Sequence, residues 1–346
     1  MSRSYTIVHK RRRLLTWLTV IVALGLPWAV DSIGSVPGYI LNLSLIFAIV
    51  AVGLNLLTGF SGQVSLGHAA FVVIGSYTSA ILTLKVGISF WLALPAAGLM
   101  SGIVGFIVGL PAVRLTGNLL AVATLGFGLA IPELVLKWTK LTNGDTGLNP
   151  DRPQLFGFSL QNDLFYYYLI LLCLAFTLWI SRNLLKGKAG RAFQAIRDSE
   201  IAATAMGISI VYYKSLVFAI SAGFAGIAGS LYAHYVNFIS PNDFTIVNSF
   251  LFFAMVVLGG LASLPGAILG AVVITILEQA TGGLQGFSIV LTGAVMVGVV
   301  MFFPRGLIAL WKREERDRSM EDEEKADSRM ANRISTEVTG EHVSEV

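Results

Sequence analysis

Long apolar runs dominate the chain, separated by short polar clusters. Runs near the ~20 residues that cross a hydrocarbon core fall at 14–30, 38–58, 63–84, 89–112, 117–138, 164–181, 214–236, 246–261, 264–281 and 286–303. The pattern predicts an all-α, polytopic transmembrane helical bundle of about ten spans, with eight or nine as the alternatives. The run at 246–261 is short, and only a few Gly-rich residues separate the last three. The leading stretch "HKRRRLLTWLTVIVALGLPWAV" has the basic start and apolar core of a signal peptide. No clear small-x-small cleavage site follows before Asp31, so it reads as a retained first span.

Composition agrees with the pattern. Of 346 residues, 55% are hydrophobic and 13% charged. That balance excludes an ordinary soluble domain. The charges are placed unevenly: 18 of the 44 charged residues lie in the last 35 positions. The chain therefore divides into a basic N-terminus at 1–13, a transmembrane domain at 14–311 and a polar tail of mixed charge at 312–346. The tail has too little apolar surface to bury, and disorder is expected there. With the N-terminus in the cytoplasm, the inner segments carry 13 basic residues and the outer ones four, Lys85, Lys137, Lys140 and Arg152. This asymmetry obeys the positive-inside rule and puts both termini in the cytoplasm. The net charge of +4 is thus a topology signal, with no nucleic-acid partner implied. The single cysteine, Cys173, excludes an intrachain disulfide, and neither metal nor cofactor has a visible ligand set.

Two connections are long. Residues 139–163 ("TKLTNGDTGLNPDRPQLFGFSLQND") form an external loop rich in Gly, Pro, Asn and Asp. Residues 182–213 form a cytoplasmic loop containing "AIRDSEIAATAMGI" at 195–208. On one helix, Arg197 and Glu200 stand three apart and can pair. Ile196, Ala203 and Met206 lie close to one stripe, with Ala202 beside it. Gly207 suits a left-handed stop. An interfacial helix lying on headgroups expects bulkier anchors. The Ala-rich face fits a protein groove better, and Asp198 completes the polar side.

Elsewhere the signals are weaker. In "GLNLLTGFSGQVSLGHAAFVVIGSYTSA" (53–80), Gly59 and Gly62 bracket a tight inner turn. Gly67, Ala70, Gly75 and Ala80 permit close helix approach. Ser65 and His68 sit near the start of a span. "VVLGGLASLPGAILGA" (256–271) reads as helix, break and helix, with an inner loop favoured narrowly over a re-entrant hairpin. Glu133 and Lys137, four apart near the outer end of their span, can form an interfacial ion pair. Glu278 lies near another outer end. Glu133, Glu278 and His68 are the candidates for a pathway or outer vestibule, since ionisable groups in spans mark such routes. No phosphate-binding G-x-x-x-x-G-K-[ST] run and no H-E-x-x-H exist, so the chain itself shows no means to hydrolyse ATP and no catalytic constellation.

Four segments resemble the membrane subunits of branched-chain amino acid ABC transporters, the longer of the two paired permease types. They are "GLNLLTGFSGQVSLGHAAF" at 53–71 and "AIRDSEIAATAMGI" with "YKSLVFAISAGFAGIAGSLYAH" at 195–234. "SPNDF" at 240–244 with "VVLGGLASLPGAILGA", and "FPRGL" at 303–307, complete the set. The resemblance implies the ABC importer permease fold and a non-enzymatic subunit of the inner membrane that works by alternating access. It also implies a second permease subunit, two ABC ATPase subunits, a periplasmic solute-binding protein and an amino-acid substrate. Importer permeases carry a coupling helix of pattern E-A-A-x-x-x-G. Ala202, Ala203 and Gly207 match the A-A-x-x-x-G part, whereas Glu200 lies one position early, which turns it about 100° around a helix. Arg197, Asp198, Glu200, Ala202, Ala203 and Gly207 are thus the candidates for ATPase coupling. The external loop and Ser240–Phe244 are the expected contacts for the binding protein. Importers of urea or another small polar solute, and a self-contained secondary carrier, are the rival readings.

Overall fold

A computed structural model describes residues 35–281, apart from 113–114, 116–117, 156–157 and 160–162, together with isolated positions at 25, 27 and between 293 and 307. The expected spans at 14–30 and 286–303, the N-terminus at 1–13, the "FPRGL" run apart from Gly306 and Leu307, and the tail at 312–346 lie outside the described residues.

Among the described residues eleven α-helices follow one another: α1 (Ser35–Asn55), α2 (His68–Leu84), α3 (Phe90–Ala112), α4 (Asn118–Lys137), α5 (Thr139–Thr142), α6 (Asp163–Lys186), α7 (Lys188–Asp198), α8 (Glu200–Ala205), α9 (Ile210–Val236), α10 (Ile246–Gly259) and α11 (Leu264–Thr281). Each predicted run between 38 and 281 holds one of these helices. Six helical stretches among the described residues are long and apolar enough to cross a membrane: Pro37–Phe60, Phe90–Pro111, Leu119–Lys137, Asp163–Lys186, Ile210–Val236 and Leu264–Thr281. The helices His68–Leu84 and Ile246–Gly259 are apolar but shorter.

α9 is the central post, and its small residues explain why. Gly98, Gly102, Gly105 and Gly109 repeat at helical spacing along one face of α3. A Cβ on Gly98 would stand 2.8 Å from Ile227 Cγ1, on Gly102 3.2 Å from the Ala219 carbonyl oxygen, and on Gly109 2.9 Å from Ser215 Cα. On another side of α9, Gly226 meets the backbone of Gly75 in α2, and Gly229 meets the Val72 carbonyl. Backbones approach this closely only where side chains are missing, which is how apolar helices gain contact in lipid. Hydroxyls add ties: Ser76 Oγ donates to the Gly229 carbonyl at 2.9 Å, and Ser101 Oγ to the Phe71 carbonyl at 3.0 Å.

α10 and α11 form a helical hairpin whose turn is held from α1. The Asn55 amide donates to the Ser263 carbonyl at 2.8 Å, and its oxygen accepts from the Ala262 N–H at 3.0 Å. Ala262 takes a left-handed φ of 58°, unusual for a residue with a side chain. Gly259 and Gly266 pack backbone to backbone across the hairpin, so the "GGLASLPGA" run is a short turn between two helices.

The 139–163 loop is folded down on α9. Leu148 and Ile239 exchange backbone hydrogen bonds at 3.0 and 2.9 Å. The His234 ring pairs through Nδ1 with the Asp151 carbonyl at 2.7 Å. Arg152 bridges Asp163 at 2.8 Å and reaches the Tyr235 carbonyl at 3.2 Å. A two-residue antiparallel pair, β1 (Gln154–Leu155) with β2 (Phe158–Ser159), completes the loop.

Candidate functional site

The α6–α9 connection holds two helices where the sequence suggested one. α7 ends at Asp198, and Ser199 takes extended backbone angles. Its hydroxyl accepts from the Ala202 N–H at 3.3 Å and starts α8 as an N-cap. α8 closes on Gly207, at φ 78°. The Gly207 N–H donates to Thr204 and the Ile208 N–H to Ala203, at 2.9 and 3.0 Å. This paired bonding is the glycine-terminated C-cap, as expected of Gly207.

The break at Ser199 changes which side chains face where. Ile196 and Ala203 are buried, at 3% and 1% exposure, while Met206 is exposed. The stripe of Ile196, Ala203 and Met206 expected from a single helix is therefore corrected. Ala203 faces this chain, and the outward apolar surface of α8 is Ile201, Ala202, Ala205 and Met206. Ile201 and Met206 are 86% and 79% exposed, and Val211 and Tyr212 continue the patch onto α9.

Two polar ties hold this surface in place. The Arg197 guanidinium donates to the Gly59 carbonyl, and its stem lies against Gly62. Glu200 accepts from the Lys214 ammonium at 2.7 Å, with Lys214 only 2% exposed. The expected Arg197–Glu200 pair is thus replaced by two separate bonds, because the kink rotates the two side chains apart. Glu200 serves a buried intrachain cation. Asp198 is exposed. Sequence reasoning missed Lys214 as a partner, although a lone basic residue at the start of an apolar run was a signal. It also missed the capping role of Ser199, a residue type suited to helix starts.

The Gly59 carbonyl belongs to a π-helical turn, Leu56–Phe60, that prolongs α1. Beyond it, residues 62–67 run without helix to α2. His68, the first residue of α2, is fully buried, and its Nε2 lies 3.1 Å from Ser221 Oγ of α9. It stands inside the bundle. Gly67 packs on the Thr124 carbonyl of α4, and the Leu66 N–H donates to Thr124 Oγ1 at 3.0 Å.

The other pathway candidates separate. Glu133 and Lys137 are both exposed on α4, and no ion pair joins them among the described residues. Their carboxylate and ammonium point away from this bundle. Glu278 is half-buried at the end of α11, close enough to Tyr39 and Tyr232 to act on them electrostatically. Asp243, which sequence reasoning did not single out, acts on Tyr232 and Tyr77. Its carboxylate accepts from the Ser240 N–H at 2.8 Å, and burial raises its pKa above the usual aspartate value despite that bond. In Ser240–Phe244, Phe244 is buried against Tyr232, so only Asn242 is fully open to a partner.

The model of a family described as the permease component of the branched-chain amino acid transport system matches residues 36–303. The high-affinity branched-chain amino acid transport system permease protein LivM of Salmonella typhimurium is 35% identical over 324 residues, covering 87% of this chain and 76% of that protein. LivM of Escherichia coli K12 is similar to the same extent. A more distant relative is the high-affinity branched-chain amino acid transport system permease protein LivH of Escherichia coli K12, 25% identical over 288 residues, 76% of this chain and 91% of that protein. No solved structure matches the chain. An apolar helical bundle with a capped, outward-facing helix between α7 and α9, matched by this family along most of its length, belongs to the branched-chain amino acid transport system permease component family.

Proposed function

We propose that this chain is the membrane-spanning permease subunit of an ATP-binding cassette importer, carrying branched-chain or related amino acids across the inner membrane. It is not an enzyme itself. Hydrolysis belongs to two separate ATPase subunits, a second permease completes the membrane unit, and a periplasmic binding protein delivers the solute. About ten spans with both termini in the cytoplasm fit the loop charges. In that orientation α7 and α8 face the cytoplasm, and the 139–163 loop faces the binding protein with Asp145 and Asp151 exposed.

One observation carries the coupling role: α8 offers an apolar surface of Ile201, Ala202, Ala205 and Met206 to solvent, while Glu200 at its start is bonded to Lys214 of α9 and Arg197 of the adjoining α7 to the turn that prolongs α1. An apolar patch left open on a firmly held helix marks a docking surface. A partner that moves α8 moves the start of α9 with it through Glu200, and the turn after α1 through α7 and Arg197. This is a rigid-element route from ATP binding to alternating access. Arg197 and Glu200 transmit the motion, Ala203 and Gly207 shape α8, and Ala202 touches the partner. Exposed Asp198 lies at the rim. Glu133, exposed on α4, and Glu278 with Asp243 make an acidic outer vestibule on the binding-protein side.

The test is reconstitution of the chain with its partners in proteoliposomes, reading uptake and ATP hydrolysis together. Ile201→Asp is expected to leave the chain folded, release the ATPases and stop uptake. Uptake by the wild-type chain without any ATPase would sink the importer reading and favour a self-contained carrier.

A further inference from the structure

Two of the apolar helices, α2 with 17 residues and α10 with 14, are about 25 and 21 Å long, short of a ~30 Å hydrocarbon core. Their first turns meet inside the bundle, where the Ala69 N–H donates to Ser249 Oγ at 3.1 Å. Helix starts carry partial positive charge, so two such ends lie together in an apolar surrounding. Ahead of α2 the chain is neither helix nor strand, and burial alternates: Gln63, Ser65 and Gly67 are buried, while Val64 and Leu66 are partly open. Gln63 and Ser65 thus both lie inside the bundle.

Polar atoms of this run are unpartnered. Gln63 Oε1, Ser65 Oγ and His68 Nδ1 make no hydrogen bond, and their residues are 3%, 0% and 0% exposed. Buried polar atoms are nearly always satisfied, because leaving one unmade is expensive. Three such atoms within six residues, beside a helix start, need an external partner. Their depth suits a transported one. Ser221, which holds His68, lies about 16 Å along α9, a helix about 40 Å long. Non-helical backbone at such depth is tolerated where it lines a site or is buried in protein, and interrupted helices at mid-membrane are where carriers hold solutes.

We propose that the Gln63–His68 run holds the zwitterionic head of the transported amino acid, a reading that rests on the importer function above. In the tautomer in which the Ser221 hydroxyl donates to Nε2, His68 carries its proton on Nδ1. That N–H, the Ser65 hydroxyl and the start of α2 are donors for the α-carboxylate. Gln63 Nε2 is engaged by Ser61 Oγ at 2.6 Å, which fixes the amide and leaves Oε1 as an acceptor for the α-ammonium. The site recognises the head common to all α-amino acids, and so leaves side-chain selection to other contacts.

The experiment uses the full complex, chain with second permease, ATPases and binding protein, in proteoliposomes. Ser65→Ala removes one oxygen atom and Gln63→Met keeps the volume, so both should assemble; size-exclusion profiles and ATPase activity stimulated by loaded binding protein check that they do. Losing one hydrogen bond to a charged head predicts a fall of roughly ten- to a hundredfold in leucine moved per ATP hydrolysed. Labelled leucine bound to the permease–ATPase complex should fall likewise, and leucinamide and 4-methylpentanoate, which lack one charge each, should not displace it from the wild type. Wild-type stoichiometry and binding in both assembled variants would overturn the site and leave the three atoms to ordered water. A wild-type complex that moves no amino acid would overturn the importer reading itself, and this site with it.

Discussion

Replacing Glu200 with Gln strands the Lys214 ammonium, which is 2% exposed and has its carboxylate partner 2.7 Å away. Removing one member of a fully buried pair costs about 3–5 kcal/mol, because the remaining charge stays out of water. Glu200 is itself 37% exposed at the side chain, so solvent screens part of the attraction. The expected loss is therefore about 2–3 kcal/mol, or roughly 30- to 150-fold in the equilibrium for undocking α8. Hydrogen exchange resolves this locally: the amides of Ala202–Ile208 should exchange faster by that factor, while those of α2 stay protected. ATP-coupled uptake should fall in parallel. The double variant Glu200→Gln with Lys214→Met removes the stranded charge and should recover most of the protection. The reasoning fails if the single variant exchanges like the wild type, or if the double variant is no better than the single one.

Other outcomes follow from single contacts. Ala203→Arg, which drives a long cation into a position 1% exposed, should unfold the α7–α8 unit, whereas Ala202→Arg should leave it folded and abolish ATPase assembly; thermal melts and pull-down separate the two. Gly109→Leu must push α3 off Ser215 of α9 and should lose roughly 3 kcal/mol or more, seen as loss of monodisperse protein. Gly126→Ala, with open space around it on an exposed face of α4, should instead gain about 0.5–1 kcal/mol in a thermal melt. Asn55→Ala leaves the Ala262 N–H and Ser263 carbonyl without partners and should cost about 1–3 kcal/mol for each, read as a lower melting temperature. Asp243 has a raised pKa in the fold, so its neutral form is favoured there; its contribution is full below the ordinary aspartate range and lost as pH rises through the raised value. Asp243→Asn should flatten that part of the melting temperature–pH curve.

The helices were legible because apolar runs of the right length are long-range signals that a single residue cannot erase. Every run between 38 and 281 contains a helix, and the small residues at Gly67, Gly75 and 221–233 mark close contacts. Directions within the short elements were not legible. One extended residue, Ser199, resets the helical phase, so Ala203 turns inward and Arg197 and Glu200 part company. The start of α2 was read five residues early, since Gln63, Ser65 and Leu66 sit in an apolar neighbourhood that suits a helix equally well. Long-range bonds such as Arg197 with Gly59 and Glu200 with Lys214 have no local signature at all.

The glycine seam between α3 and α9 also has a history in time. Gly98 and Ile227, which meet across it, are well over a hundred residues apart in the chain. At a synthesis rate of about 5–20 residues per second, α3 waits roughly 6–25 s for the helix that will cover its glycines. During that interval its groove is filled by lipid tails, which must be expelled when α9 arrives. One step of assembly is thus an exchange of lipid for backbone, and the central post of the finished bundle arrives well after the helix it covers.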